Sequence, residues 1–125
     1  MAGTLTISTL SDGTNSTSST NCIQGSAKAW ARWNGTGTVA IGSSYNVSSI
    51  TRPSTGLYQI NFTNALADAN YGFVSQASYP TVANVFAQGP SFGSNTATAS
   101  IAFVGTENLS TTNVDVSQIS FTAFR

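Results

Sequence analysis

The sequence predicts an all-β fold: an antiparallel β-sandwich, or jelly-roll-like knob, preceded by an N-terminal extended arm. Its polarity comes from Ser, Thr and Asn rather than from charge, since only 6% of the 125 residues are charged. Those residues depress helix propensity, whereas Thr, Val, Ile, Phe and Tyr favour pleated surfaces. Apolar and polar residues also alternate at period two in about nine short runs set roughly 8 to 12 residues apart, the spacing of a sandwich. Finally, only Asn64 to Asn70 tolerates a helix, and a stretch so short without a capping box predicts a corner or a single helical turn.

Residues 1–27 read as an arm and linker, and residues 28–125 as the sandwich domain. Thr4 to Leu10 alternates and predicts a short strand, while Ser11 to Asn21 has no apolar residue and predicts a flexible or extended linker. Leu5, Ile7 and Leu10 are thus candidate attachment residues. They either add a strand to another protein's sheet edge or form the first strand of the same sandwich. In Ala27 to Asn34, a strand sends Ala29, Ala31 and Trp33 to one face and Lys28, Trp30 and Arg32 to the other. The second face, an aromatic between two cations, suits a subunit contact, so these three are candidate interface residues.

Asn34-Gly35-Thr36-Gly37 tolerates positive φ and predicts a hairpin to Thr38–Ile41. Tyr45 to Thr51 is the next strand, and residues 52–56 form a Pro/Gly turn. Leu57 to Thr63 alternates most clearly, with Tyr58, Ile60 and Phe62 inward. Tyr71 to Ala77, with Tyr71 and Phe73 on one face, and Val82 to Ala87 follow, then a glycine-proline loop over 88–95. Thr98 to Val104 places Ala99, Ile101 and Phe103 on one face, and Val114 to Phe124 changes phase between Val116 and Ile119, as a β-bulge would make it.

Zero net charge and no basic cluster argue against nucleic acid or anionic membrane as partners. The first residues do not read as a signal peptide, and no run is long and apolar enough to insert in a membrane. With no histidine, the serines lack a His base, Cys22 lacks a His partner, and Lys28 is the only lysine for a Ser-Lys pair. Asp12, Asp68, Glu107 and Asp115 are scattered singly, without calcium-loop spacing or a second zinc ligand type. The expectation is therefore no catalytic residue, no metal, no cofactor and no enzyme activity. Cys22 reads as a small buried apolar residue that stays reduced, with an intersubunit bridge as the alternative. The Asn-x-Ser/Thr sequons are no more numerous than this composition yields by chance. Trp30, Tyr45, Tyr79 and Phe92 read as exposed aromatics, able to stack on sugar rings or to meet another subunit.

KAWARWNGTGTVAIGSSYNVSSIT and GLYQINFTNALADANYGFV, residues 28–51 and 56–74, resemble a C-terminal domain of tail-fibre and other virion structural proteins of tailed bacteriophages. The shared features are a Lys-Ala-Trp strand, a turn ending Asn-Gly-Thr-Gly, an Asn-Val-Ser-Ser-Ile-Thr segment, a Tyr-x-x-Asn-Phe-Thr strand and an Asp-Ala-Asn-Tyr corner, with an aromatic followed by Arg at the close. Ala31, Arg32 and Trp33 stand where Val, Asn and Phe are usual. The likeness is strong to Val74 and fainter beyond. It implies a bacteriophage virion structural protein, assembled in the host cytoplasm, forming a homotrimeric knob whose arm binds other virion proteins. A chain of 125 residues starting at Met1 has no room for a shaft, so a short fibre, knob or capsid or tail decoration appendage is expected. The alternative is a receptor-binding module for host surface polysaccharide, with Arg52, Tyr79 and Phe92 as candidate contacts on loops such as 52–56 and 88–95. A depolymerase is the remotest reading, because acids are so few.

Overall fold

The alternation around Trp33 decides how the first sandwich strand lies. β3 (Ala27–Asn34) buries Ala29, Ala31 and Trp33 and exposes Trp30 and Arg32, the predicted division of faces. The computed structural model describes residues 3–78 and 85–125. Within them β4 (Ala40–Tyr45) and β5 (Val47–Ser54) follow β3, then β6 (Leu57–Phe62), β7 (Gly72–Ser78), β8 (Val85–Gln88), β9 (Ile101–Asn108) and β10 (Gln118–Phe124). They form two four-stranded antiparallel sheets ordered β4-β3-β10-β7 and β5-β6-β9-β8. The sheets pack face to face as a β-sandwich. The core between them joins Trp33, Phe121 and Ile119 from one sheet to Tyr58, Ile60, Phe62 and Val104 from the other. Aromatic rings set its spine: Trp33 meets Tyr58 edge-on at 5.7 Å, and Phe62 stacks near Phe121 at 6.4 Å.

The chain passes from one sheet to the other at Asn46, which ends the β4 run and begins β5, so the strand expected over Tyr45–Thr51 is split there. Its φ of 54° suits Asn better than a branched residue. The side chain holds the corner: Nδ2 donates to the carbonyls of Lys28 and Asn64, both at 3.0 Å, and Oδ1 accepts from Asn64 N–H at 2.8 Å. Residues 64–70 make bends without a helix, the corner that was expected.

Other expectations are corrected. The strand expected over Thr98–Val104 starts only at Ile101; Ile101 and Phe103 share a face as expected, and it is the outer one, while Ala102, Val104 and Thr106 are buried on the other. The outer apolar residues are possible to shield because the 88–95 loop continues the ladder. Pro90 accepts from Phe103 N–H, and the Phe92 ring lies over Gly105, where a Cβ would come within 2.3 Å of it. The phase change between Val116 and Ile119 reflects a non-strand lead-in ahead of β10 and not a bulge in a strand; the register irregularity lies at Ala123/Phe124. On β7, Phe73 is 38% exposed although Tyr71 is buried. Part of the Val82–Ala87 strand, and Tyr79, lie outside the described residues.

In the arm, the strand expected over Thr4–Leu10 starts only at β1 (Thr9–Ser11), and it pairs with β2 (Ser16–Ser18) inside the stretch expected to be a linker. The Asp12 carboxylate closes this hairpin by accepting from Thr14 and Asn15 N–H at 2.9 and 2.7 Å. α1 (Ser19–Gly25) follows, its first turn capped by the Ser18 hydroxyl, which accepts from Asn21 N–H. No residue of α1 is buried. Cys22 is a free thiol, half-buried among Leu5, Ile7 and Ile23 rather than enclosed in the core.

Candidate functional site

The outer face of the β4-β3-β10-β7 sheet carries the most distinctive surface. Register places Trp30 directly opposite Tyr45 on β4 and Thr122 on β10, and Thr122 opposite Val74 on β7. With strands about 4.8 Å apart, one row of four side chains crosses the whole sheet. Tyr45 is 58%, Trp30 37% and Val74 63% exposed, so this is a continuous aromatic and apolar row facing water. The next row is polar: Ser43, Arg32, Ser120 and Gln76.

The three candidate interface residues do not act as one patch. Trp30 stays on the row. Arg32 Nη2 donates to Gln118 Oε1 at 3.0 Å, which draws the guanidinium away from Trp30 and toward the end of the sheet. Lys28 Nζ donates to the Ile23 carbonyl and to Ser26 Oγ, capping the last turn of α1 and tying the arm to β3. Two open depressions flank Arg32. One of about 250 Å³ lies over β7 and β10 beside Gln76 and Ser120. The other, about 480 Å³, lies between the β3–β4 edge and Ser117.

The arm carries a second uncovered apolar set. Leu5, Ile7 and Leu10 are 81%, 39% and 53% exposed, and Ile23, 64% exposed, lies with them along one shallow surface. Among the described residues, Lys28 makes the only side-chain hydrogen bond from the sandwich to residues 3–25.

The candidate receptor residues are placed differently from one another. Arg52 lies on β5 and pairs with Asp115, whose carboxylate also accepts from Gly56 N–H at 2.9 Å and from Tyr58 O–H at 3.0 Å. Burial, and then the hydrogen bond to Asp115 and its charge, push the Tyr58 phenol well above its ordinary range, so it remains a donor. This cluster closes one end of the sandwich. Phe92 is half-buried on Gly105, not projected from a loop tip. Tyr79 lies outside the described residues.

The four acids are held apart by separate partners. Asp12 closes the arm hairpin, Asp68 pairs with Arg125, Glu107 accepts from Gln88 Nε2 at 2.9 Å, and Asp115 holds Arg52. Among the described residues no three His, Cys, Asp or Glu side chains gather as a metal site would need. Among the described residues, no helix is long and apolar enough to cross a membrane. Val74, Ser117 and Gln118 were not singled out from the sequence, because only strand register brings them beside Trp30 and Arg32. No protein-family model matches the chain, and no curated protein or solved structure is significantly similar to it.

Proposed function

We propose that this chain is a non-enzymatic bacteriophage virion structural protein: a homotrimeric short fibre, knob or capsid or tail decoration appendage, attached to the particle by its N-terminal arm. The observation that carries the reading is the uncovered row Tyr45–Trp30–Thr122–Val74. An aromatic and apolar row spanning a sheet face, on a chain of zero net charge, is a surface suited to burial against further copies. The sequence likeness to phage fibre domains supplies the virion context, and the apolar set at Leu5, Ile7, Leu10 and Ile23 supplies a separate surface for attachment.

The purified protein is expected to sediment as three copies, and a stable monomer at micromolar concentration would sink the reading. Trp30→Ala is expected to weaken the trimer by about 2 kcal/mol or more per enclosed ring, read as a shift of the assembly midpoint to higher protein concentration. An unchanged midpoint places the subunit contact elsewhere. A second reading, a module binding host surface glycan, is favoured by one further observation: the depressions beside Arg32 are lined by hydroxyl, amide and guanidinium groups with no carboxylate. Glycan-array binding by the isolated protein separates that reading from a purely structural one.

A further inference from the structure

On the outer face of the β4-β3-β10-β7 sheet, the aromatic row and the polar row run side by side across the strands. Trp30 and Arg32 stand two residues apart on β3, both exposed on that face and about 7 Å apart along the strand. Across the strands, Trp30 lies opposite Tyr45, Arg32 opposite Ser120, and Ser120 opposite Gln76. These five side chains share one accessible face. The open depression of about 250 Å³ over β10 and β7 follows the polar row from Arg32 to Gln76.

Charge sets this face apart as much as shape does. None of its four strands contains an acid, and Lys28 and Arg32 are their only charged residues. Lys28 is occupied at the end of α1, which leaves one available cation on the face. That cation is oriented: Gln118 Oε1 accepts from Arg32 Nη2 at 3.0 Å, and the guanidinium keeps its remaining N–H groups for a ligand. Beyond it stand the Ser120 hydroxyl and the Gln76 amide, groups that both donate and accept.

From this arrangement we infer a binding surface for an extended acidic polysaccharide, laid across the strands with pyranose rings on Tyr45 and Trp30, a uronate carboxylate at Arg32, and hydroxyls at Ser120 and Gln76. Neighbouring strands stand about 4.8 Å apart, close to the advance per residue of an extended pyranose chain, so successive rings meet successive strands. The apolar C–H face of a pyranose suits an exposed aromatic, and register sets Trp30 beside Tyr45, 37% and 58% exposed. A uronate seated on Trp30 can turn its carboxylate, at the ring edge, toward Arg32, where the guanidinium forks onto it. A neutral chain would leave that cation unused, and an acidic peptide would leave the aromatic pair unused. The inference rests on the glycan-binding reading, moves its site from the 52–56 and 88–95 loops to this sheet face, and gives Trp30 to the ligand rather than to a second copy.

The test uses the full chain and four probes: β-linked hexamannuronate, its neutral counterpart mannohexaose, monomeric mannuronate and hexaglutamate. Trp33 is 2% exposed, so acrylamide quenching of tryptophan fluorescence reports on Trp30, and calorimetry gives the affinities. Hexamannuronate is expected to shield Trp30 saturably and to bind about tenfold more tightly than mannohexaose or mannuronate, since one lacks the charge and the other the chain. Hexaglutamate is expected to give no shielding. Arg32→Gln is expected to raise the hexamannuronate Kd about tenfold and leave the mannohexaose Kd unchanged, whereas Trp30→Ala raises both, with Tm unchanged because both side chains are exposed. Equal binding of mannohexaose removes the charge requirement, equal binding of hexaglutamate reassigns the surface to acidic peptides, and no shielding by any probe removes the site; each overturns the inference. A glycan array run alongside scores the broader reading: glycans bound there without shielding of Trp30 by hexamannuronate leave glycan binding standing and this surface wrong. Sedimentation of the same samples scores the assembly reading separately.

Discussion

Asn46 and Gly35 hold two ends of the sandwich by different physics. At Asn46 the left-handed backbone and three side-chain hydrogen bonds act together, so no single replacement keeps everything. Asn46→Gly retains the backbone freedom but loses the bonds, and Asn46→Ala loses both. Urea unfolding is expected to show a loss of about 2 to 3 kcal/mol for Ala and a smaller loss for Gly. Equal losses would mean that the bonds, not the backbone, set the cost. Gly35 is fixed by space. A Cβ there would lie 2.2 Å from the Tyr58 hydroxyl oxygen, and Tyr58 is wholly buried. Gly35→Ala is therefore expected to cost about 1 to 3 kcal/mol, measured in the same way; a neutral result would mean that the Tyr58 ring has room to move. Asn34-Gly35 was legible in the sequence as a turn. That Gly35 also packs under a phenol from the opposite sheet was not, because nothing local to residues 34–37 encodes Tyr58.

Elements whose two faces differ in chemistry were readable, and elements whose facing depends on a distant cover were not. β3 and β6 alternate small or aromatic residues with polar ones, so one sheet core explains both. β9 carries apolar residues on both faces. On the outer face the Phe103 N–H donates to the Pro90 carbonyl, and alternation alone did not say which face of the strand meets the other sheet. α1 escaped notice because its residues are weak helix formers and its only start signal is a Ser18 cap without an acidic partner. At the other end of the chain, the Asp68 corner joins β6 to β7 and reaches Arg125 after β10. The Asn70 N–H and then the Arg125 guanidinium hold the Asp68 carboxyl below its ordinary value of 3.8. A depressed folded pKa contributes stability that is present above the unfolded value and is lost as pH falls through the folded one. Arg125→Gln is accordingly expected to raise the Asp68 pKa only part of the way to its ordinary value, with any stability difference from the parent disappearing in strong acid. Carboxyl titration followed by NMR checks this. A full return to the ordinary value would show that Arg125, and not Asn70, is the dominant cause.

At the scale of the whole molecule, the chain separates into a sandwich that satisfies itself and an arm that does not. The core joins residues from Ala29 to Ala123, and none of its members precedes β3. Leu5, Leu10 and Ile23 remain more than half exposed, and among the described residues of the sandwich only Lys28 reaches back to α1 with a side-chain hydrogen bond. A hairpin as short as β1–β2 has marginal stability alone, so the arm gains most by covering its apolar side on another surface, and its residues contribute little to the sandwich. Deleting residues 1–21 is thus expected to leave a folded protein of the same oligomeric state with little change in Tm, and to abolish incorporation into virions. Thermal unfolding and sedimentation of the truncated protein, with particle purification after complementation, check the two halves. If the truncated protein unfolds, Leu5 and Ile7 stabilise the sandwich itself. If it folds and still enters particles, attachment belongs to the sheet faces, and the uncovered row through Trp30 becomes the surface to mutate next.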